Sequence, residues 1–166
     1  EIEIKLFDIS GLKSFIKSNK SLFYYVSTEN SNHFHYSKLL LDLKQNVLID
    51  KPIVLSIKEF NVLLTIAKSN NCYLDEVLNW QYHKQINFIK ELIKRNKNIN
   101  VISRFTIPLP AQNSFRVNEK YGSGVFWDMS SYLFSTLLLF TEEIPILCLS
   151  KNIGSFKPQW IKAYLN

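Results

Sequence analysis

A chain of 166 residues, 46% apolar and 20% charged, has the size and make-up of one globular domain. It can bury a core without staples, so disorder and a disulfide-dense scaffold are excluded as its main state. The net charge is +6, and all of it lies in the second half: residues 1–83 carry nine lysines and nine acids, residues 84–166 eleven Lys or Arg and five acids.

Ile2 to Phe7 alternates charged and apolar residues and reads as a strand. That pattern does not suit a signal peptide's apolar region. Asp8 or Ser10 can cap a short helix carrying Leu12, Phe15 and Ile16 on one face. Leu22 to Ser27 is aromatic-rich and reads as a second strand. Tyr36, Leu40, Leu43 and Val47 recur at helical spacing, which predicts a helix over about 37–45. Val47-Leu48-Ile49 is a short apolar run; Pro52 interrupts it, and Ile53-Val54-Leu55 resumes.

Ser56-Ile57-Lys58-Glu59 stands directly before Phe60, Leu63, Leu64 and Ala67. That is a capping box: the serine hydroxyl accepts from the amide of residue 59, and the glutamate reaches back to the amide of residue 56. Ser69-Asn70-Asn71 ends this helix. Leu74, Leu78, Ile86, Ile89 and Ile93 then form a helical stripe. Acids at its start and Lys94, Arg95 and Lys97 at its end suit a helix dipole. The expectation is one long helix of about 20 residues. Residues 99–107 alternate and read as a strand closed by Pro108. Phe115-Arg116-Val117 is a candidate short strand. Asp128 or Ser130 can cap a helix through Phe140. Ile144 to Leu149 reads as a buried strand, and Pro158 suits the first turn of a last helix, 159–165.

Strands and helices alternate, which predicts an α/β fold, with a mixed α+β arrangement as the variant. Residues 1–166 are expected to form a single domain with helices packed on a central mixed sheet of about five or six strands.

The chemistry-bearing residues are sparse. His33-Phe34-His35 on a strand would share a face, and so could offer two imidazoles to one metal ion. A third ligand is missing, so solvated histidines are the favoured reading. The three histidines, with Lys84 or Arg104, have the residue types of a metal-independent ribonuclease, but nothing in their spacing argues for one. Asp50 followed by Ser56-Ile57-Lys58 resembles a nuclease core in which serine replaces the second carboxylate; the capping box explains the same residues without chemistry. Gly122-Ser123-Gly124 has too few glycines for a phosphate loop, and a turn is the better reading. Cys72 and Cys148 have apolar flanks and read as buried thiols. The three Trp, eight Tyr and twelve Phe are expected mostly to fill the core. Expected cofactors and metals are therefore none.

Without a complete catalytic motif, the reading favoured is a non-enzymatic protein-binding module. Its nearest type is a cytoplasmic bacterial immunity or antitoxin protein that blocks a toxin, an analogy of size and type that no residues carry. The partner would be another protein, met through Arg104, Arg116, Lys120, Tyr121 and Trp127. The alternative is a nucleic-acid-binding or nucleic-acid-cleaving domain using the basic region 84–120. The longest apolar stretch, Tyr132 to Phe140, is too short for a membrane span.

Overall fold

The computed structural model describes residues 9–19, 23–96, 108, 110–111, 113–140, 147–151 and 160–164. The first helix, α1 (Ile9–Ser18), places Ile16 in the core. It leads into β1 (Tyr24–Val26). Helix α2 (His33–Asp42) begins four residues earlier than its periodicity predicts and returns the chain to β2 (Val47–Asp50). Helix α3 (Ile57–Asn70) and β3 (Leu74–Val77) follow.

The capping box forms with one shift of register. The Glu59 amide donates to Ser56 Oγ at 3.2 Å, and Glu59 Oε2 accepts from the Leu55 amide at 3.2 Å, one residue before the cap. Helix α3 ends where Asn71 turns left-handed at φ 53°, a conformation asparagine tolerates.

The three strands form a parallel sheet in the order β1-β2-β3, with Tyr24 opposite Val47 and Val47 opposite Leu74. Two parallel crossovers through α2 and α3 make one βαβαβ unit, the half from which a doubly wound Rossmann-like sheet is built. Parallel strands are buried by the helices that connect them. Accordingly Leu41 of α2, Val47 and Ile49 of β2 and Leu63 of α3 are wholly buried. The aromatics do not fill this centre. Among the described residues the core is aliphatic, and Tyr24, Phe34, Tyr36 and Phe60 pack half-buried against it. Cys72 is likewise half-buried, and burial raises its thiol pKa.

Several expectations are corrected. The stripe from Leu74 to Ile93 is not one helix. Its first four residues are β3, a 3-10 turn spans Asn79–Tyr82, and only Lys84–Arg95 is helical, as α4. The β2 edge decides the matter, because the Val47 amide donates to the Tyr73 carbonyl at 2.9 Å and draws the next residues into the sheet. Phe115–Val117 is a 3-10 turn rather than a strand, with Ser114 Oγ accepting from the Arg116 amide. Helix α5 (Val125–Leu137) starts after Gly124, so Asp128 lies in its first turn instead of capping it. Trp160–Tyr164 is a strand, β5, not a helix; it pairs antiparallel with β4 (Leu147–Lys151). The described residues thus hold a three-stranded parallel sheet and a separate two-stranded one, not a single sheet of five or six. The expected strands 2–7 and 99–107 lie outside the described residues. No helix among the described residues is long and apolar enough to cross a membrane.

Candidate active site

In an open parallel α/β sheet, ligands bind beyond the carboxyl ends of the strands. Here four contacts draw residues 122–135 across that edge. Asn30, after β1, donates through Nδ2 to the Gly122 carbonyl at 2.8 Å. Lys51, after β2, reaches Asp128; Glu76 of β3 accepts from Ser131; Trp80, after β3, donates to Ser135 Oγ at 3.0 Å. Gly122 permits this closeness. Its φ is 67°, and a Cβ there would sit 2.4 Å from Leu55 Cδ1.

Lys51 is the centre of the arrangement. The Asp50 carboxylate accepts from the Lys51 amide at 2.9 Å and fixes the backbone as β2 ends. The Lys51 ammonium donates to Asp128 Oδ1 and to the Asp128 carbonyl, both at 2.6 Å, and stands 5.1 Å from the Tyr132 ring centre. Both partners of the ion pair are nearly enclosed, with side chains 11% and 13% exposed. The pair therefore acts in a poorly hydrated place, where charge interactions are stronger than in water. Asp128 also accepts from Arg116 Nη1 at 3.0 Å through its second oxygen; the Arg116 side chain is 44% exposed. Two of the three ammonium donors of Lys51 serve Asp128, which leaves one for a ligand oxygen.

Glu76 ties β3 to the same edge. Its Oε1 accepts from the Ile53 amide at 3.1 Å and from Ser131 Oγ at 3.0 Å. Burial raises the Glu76 carboxyl pKa, opposed by those two hydrogen bonds, with Asp75 and Asp50 adding to the rise.

The residues expected to meet a partner separate here. Arg116 joins the Lys51–Asp128 cluster. Trp127 precedes Asp128 on α5, half-buried and edge-on to Phe126. Lys120 is exposed and lies over the Tyr121 ring at 6.0 Å. Arg104 lies outside the described residues.

The histidines do not converge. His33 and His35 open a helix rather than a strand, so they do not share a face: His33 is buried and His35 exposed. His83 caps α4 by accepting from the Gln85 amide. Ser56-Ile57-Lys58 begins α3 and is not a strand beside Asp50. Lys51 and Asp128 do not stand out in the sequence as site residues. The available signal was the polar Asp50-Lys51-Pro52 interruption between two apolar runs; Asp128, 77 residues further on, carried none.

The fold defines a class: a Rossmann-like α/β unit, with paired polar groups at the strand ends. Comparison with known proteins agrees. Residues 2–76, just under half of the chain, match the GFO/IDH/MocA profile, described as an oxidoreductase family with an NAD-binding Rossmann fold. An uncharacterized oxidoreductase of Escherichia coli K12, YgjR, is 22% identical and covers 79% of this chain and 43% of the relative. The WlbA dehydrogenase of Thermus thermophilus, solved with NAD and UDP-GlcNAcA, superposes with a TM-score of 0.74 at 16% identity, over 90% of this chain and 51% of that one. KijD10, a 3-ketoreductase of Actinomadura kijaniata solved with NADP and TDP-benzene, gives 0.61 at 23% identity, over 70% of this chain and 37% of that one. The chain spans about half or less of the length of these relatives. These likenesses overturn the expected immunity-type toxin inhibitor and its protein or nucleic-acid partner. The profile and the fold neighbours are oxidoreductases, and Lys51, Asp128 and Arg116 are paired with one another.

The residues present do not fit a whole dinucleotide. A pyrophosphate cradle needs a Gly-x-Gly-x-x-Gly turn opening a helix. The four glycines stand at 11, 122, 124 and 154, and Gly122 is already used against Leu55.

Proposed function

We propose that this chain forms the substrate-facing edge of a nicotinamide-dependent oxidoreductase, and that Lys51 is its proton-handling residue. The supporting observation is the enclosed Lys51–Asp128 pair at the carboxyl end of the middle strand. The profile match and the dehydrogenase neighbours supply the reaction class. Interconversion of a hydroxyl and a carbonyl group requires a proton to enter or leave the oxygen. The remaining ammonium donor of Lys51 holds that oxygen and exchanges a proton with it. Asp128 fixes the ammonium in place and is itself held by Arg116. The charged and hydroxyl groups at the strand ends suit a sugar-like substrate, the kind of molecule present in the WlbA complex.

The test is turnover of a panel of sugars and polyols by the chain with NAD or NADP, wild type against Lys51→Ala. Loss of activity of about 100-fold or more with circular dichroism unchanged is expected. Unchanged turnover in the variant would remove Lys51 from the reaction. Turnover neither with a dinucleotide nor with nicotinamide mononucleotide, which needs no pyrophosphate cradle, would overturn the oxidoreductase reading.

A further inference from the structure

His33 is 1% exposed, and both of its ring nitrogens meet backbone carbonyls. Nδ1 lies 2.7 Å from the Pro52 oxygen and Nε2 lies 3.1 Å from the Thr28 oxygen. A carbonyl oxygen only accepts. A neutral imidazole has one N–H, so it can satisfy one carbonyl and must turn a bare lone pair toward the other. An imidazolium donates to both. The two carbonyls belong to different loops: Thr28 follows β1, and Pro52 follows Lys51 at the end of β2.

We infer that His33 is a positioning residue, a two-donor imidazolium clamp that ties the loop after β1 to the Lys51–Pro52 loop and releases the Thr28 side when it loses its proton. The shorter bond keeps the remaining hydrogen on Nδ1, so Pro52 stays held while Thr28 is let go. Several charged groups face this place, and each has a partner: Glu76 accepts from the Ile53 amide, in the same peptide unit as the Pro52 carbonyl. Glu29 accepts from Asn32 Nδ2, Asp50 from the Lys51 amide, Glu59 from the Leu55 amide, and Lys51 is paired with Asp128. Lys120, on the turn packed against residues 30–32, is exposed. The clamp stands on geometry alone; its bearing on Lys51 rests on the function proposed above.

The experiment is a pH titration of the whole chain with nitrogen-15 label, following the His33 ring and the amides of Glu29 and Ile53, which share peptide units with the two carbonyls. The expected result has both ring nitrogens protonated together at the acid end. On deprotonation Nε2 loses its hydrogen, and the Glu29 amide shifts with the same midpoint, more than the Ile53 amide does. Nitrogens never protonated together in the folded chain, or a Glu29 amide indifferent to the His33 titration, would overturn the clamp. A second arm measures the rate at which an amine-acylating reagent labels Lys51, read by mass spectrometry. Wild type should show a step at the His33 midpoint that His33→Gln lacks. The same step in both proteins would remove any bearing on Lys51. The ring titration needs neither turnover nor a folded variant, so its failure is distinct from failure of the proposed function.

Discussion

The unit from β1 to β3 and the segment from α4 to α5 are built differently. In the first, α2, α3 and β2 contribute side chains with no exposure at all, and its acids and bases nearly balance. In the second, α4 buries only Ile86, leaves Phe88 and Leu92 in solvent, and displays Lys84, Lys90, Lys94 and Arg95 on its outside. The excess positive charge in α4 is thus a solvated helix face, with Lys94 paired to Glu91 at 3.0 Å. The exception is Arg116, which turns inward to Asp128. Packing sets the first region, and a few polar contacts at the seam seat α5 against it. The site lies on that seam.

The largest expected effect breaks the packed region alone. Leu41→Ala should cost about 3 kcal/mol, because a wholly buried leucine leaves a cavity as well as losing transfer energy. Leu138→Ala, exposed just past α5, should cost less than about 0.5 kcal/mol. Denaturant melts of the two variants check the contrast; equal losses would mean that the regions are not built differently.

The seam comes next. Asp128→Ala leaves the nearly enclosed Lys51 ammonium without a carboxylate, and should cost about 2 kcal/mol. Arg116→Ala removes only the half-exposed partner and should cost less than about 1 kcal/mol. A reversed order in urea unfolding would place the electrostatic weight on the outer pair.

The smallest effect concerns Glu76, which joins β3 to α5 through Ser131. Its folded-state pKa is raised, chiefly by burial. Folding therefore favours the protonated carboxyl. That contribution is fully present below the ordinary glutamate range, near about pH 4, and is lost as pH rises through the raised value. Melting temperatures of wild type and Glu76→Gln against pH should show the wild type losing ground to the variant over that window. Parallel profiles would mean that the seam does not enclose the carboxyl.

Much of the fold was legible locally. The α3 cap rests on four consecutive residues, and the patterns around it name α1, β1 and most of α2; the α2 stripe runs on to Val47, which belongs to β2, a segment that reads locally only as an apolar run. β3 was not legible. Leu74 and Val77 fit either a strand or the first turn of a helical stripe, and the choice fell to a β2 edge with amides to satisfy. Trp160–Tyr164 was misread for the same kind of reason, since its pairing with β4 outweighs a helix-compatible proline just before it.

The sequence by itself determined the uneven partition of charge, the alternation of strands and helices, and the stops at Pro52 and Asn71, all of which follow from neighbours in the chain. Only the tertiary structure decided that Lys51 meets Asp128 and that His33 reaches two loops. Those contacts join residues up to 77 positions apart. No local propensity encodes them; burying the parallel sheet brings the strand ends together and leaves their polar groups to find one another.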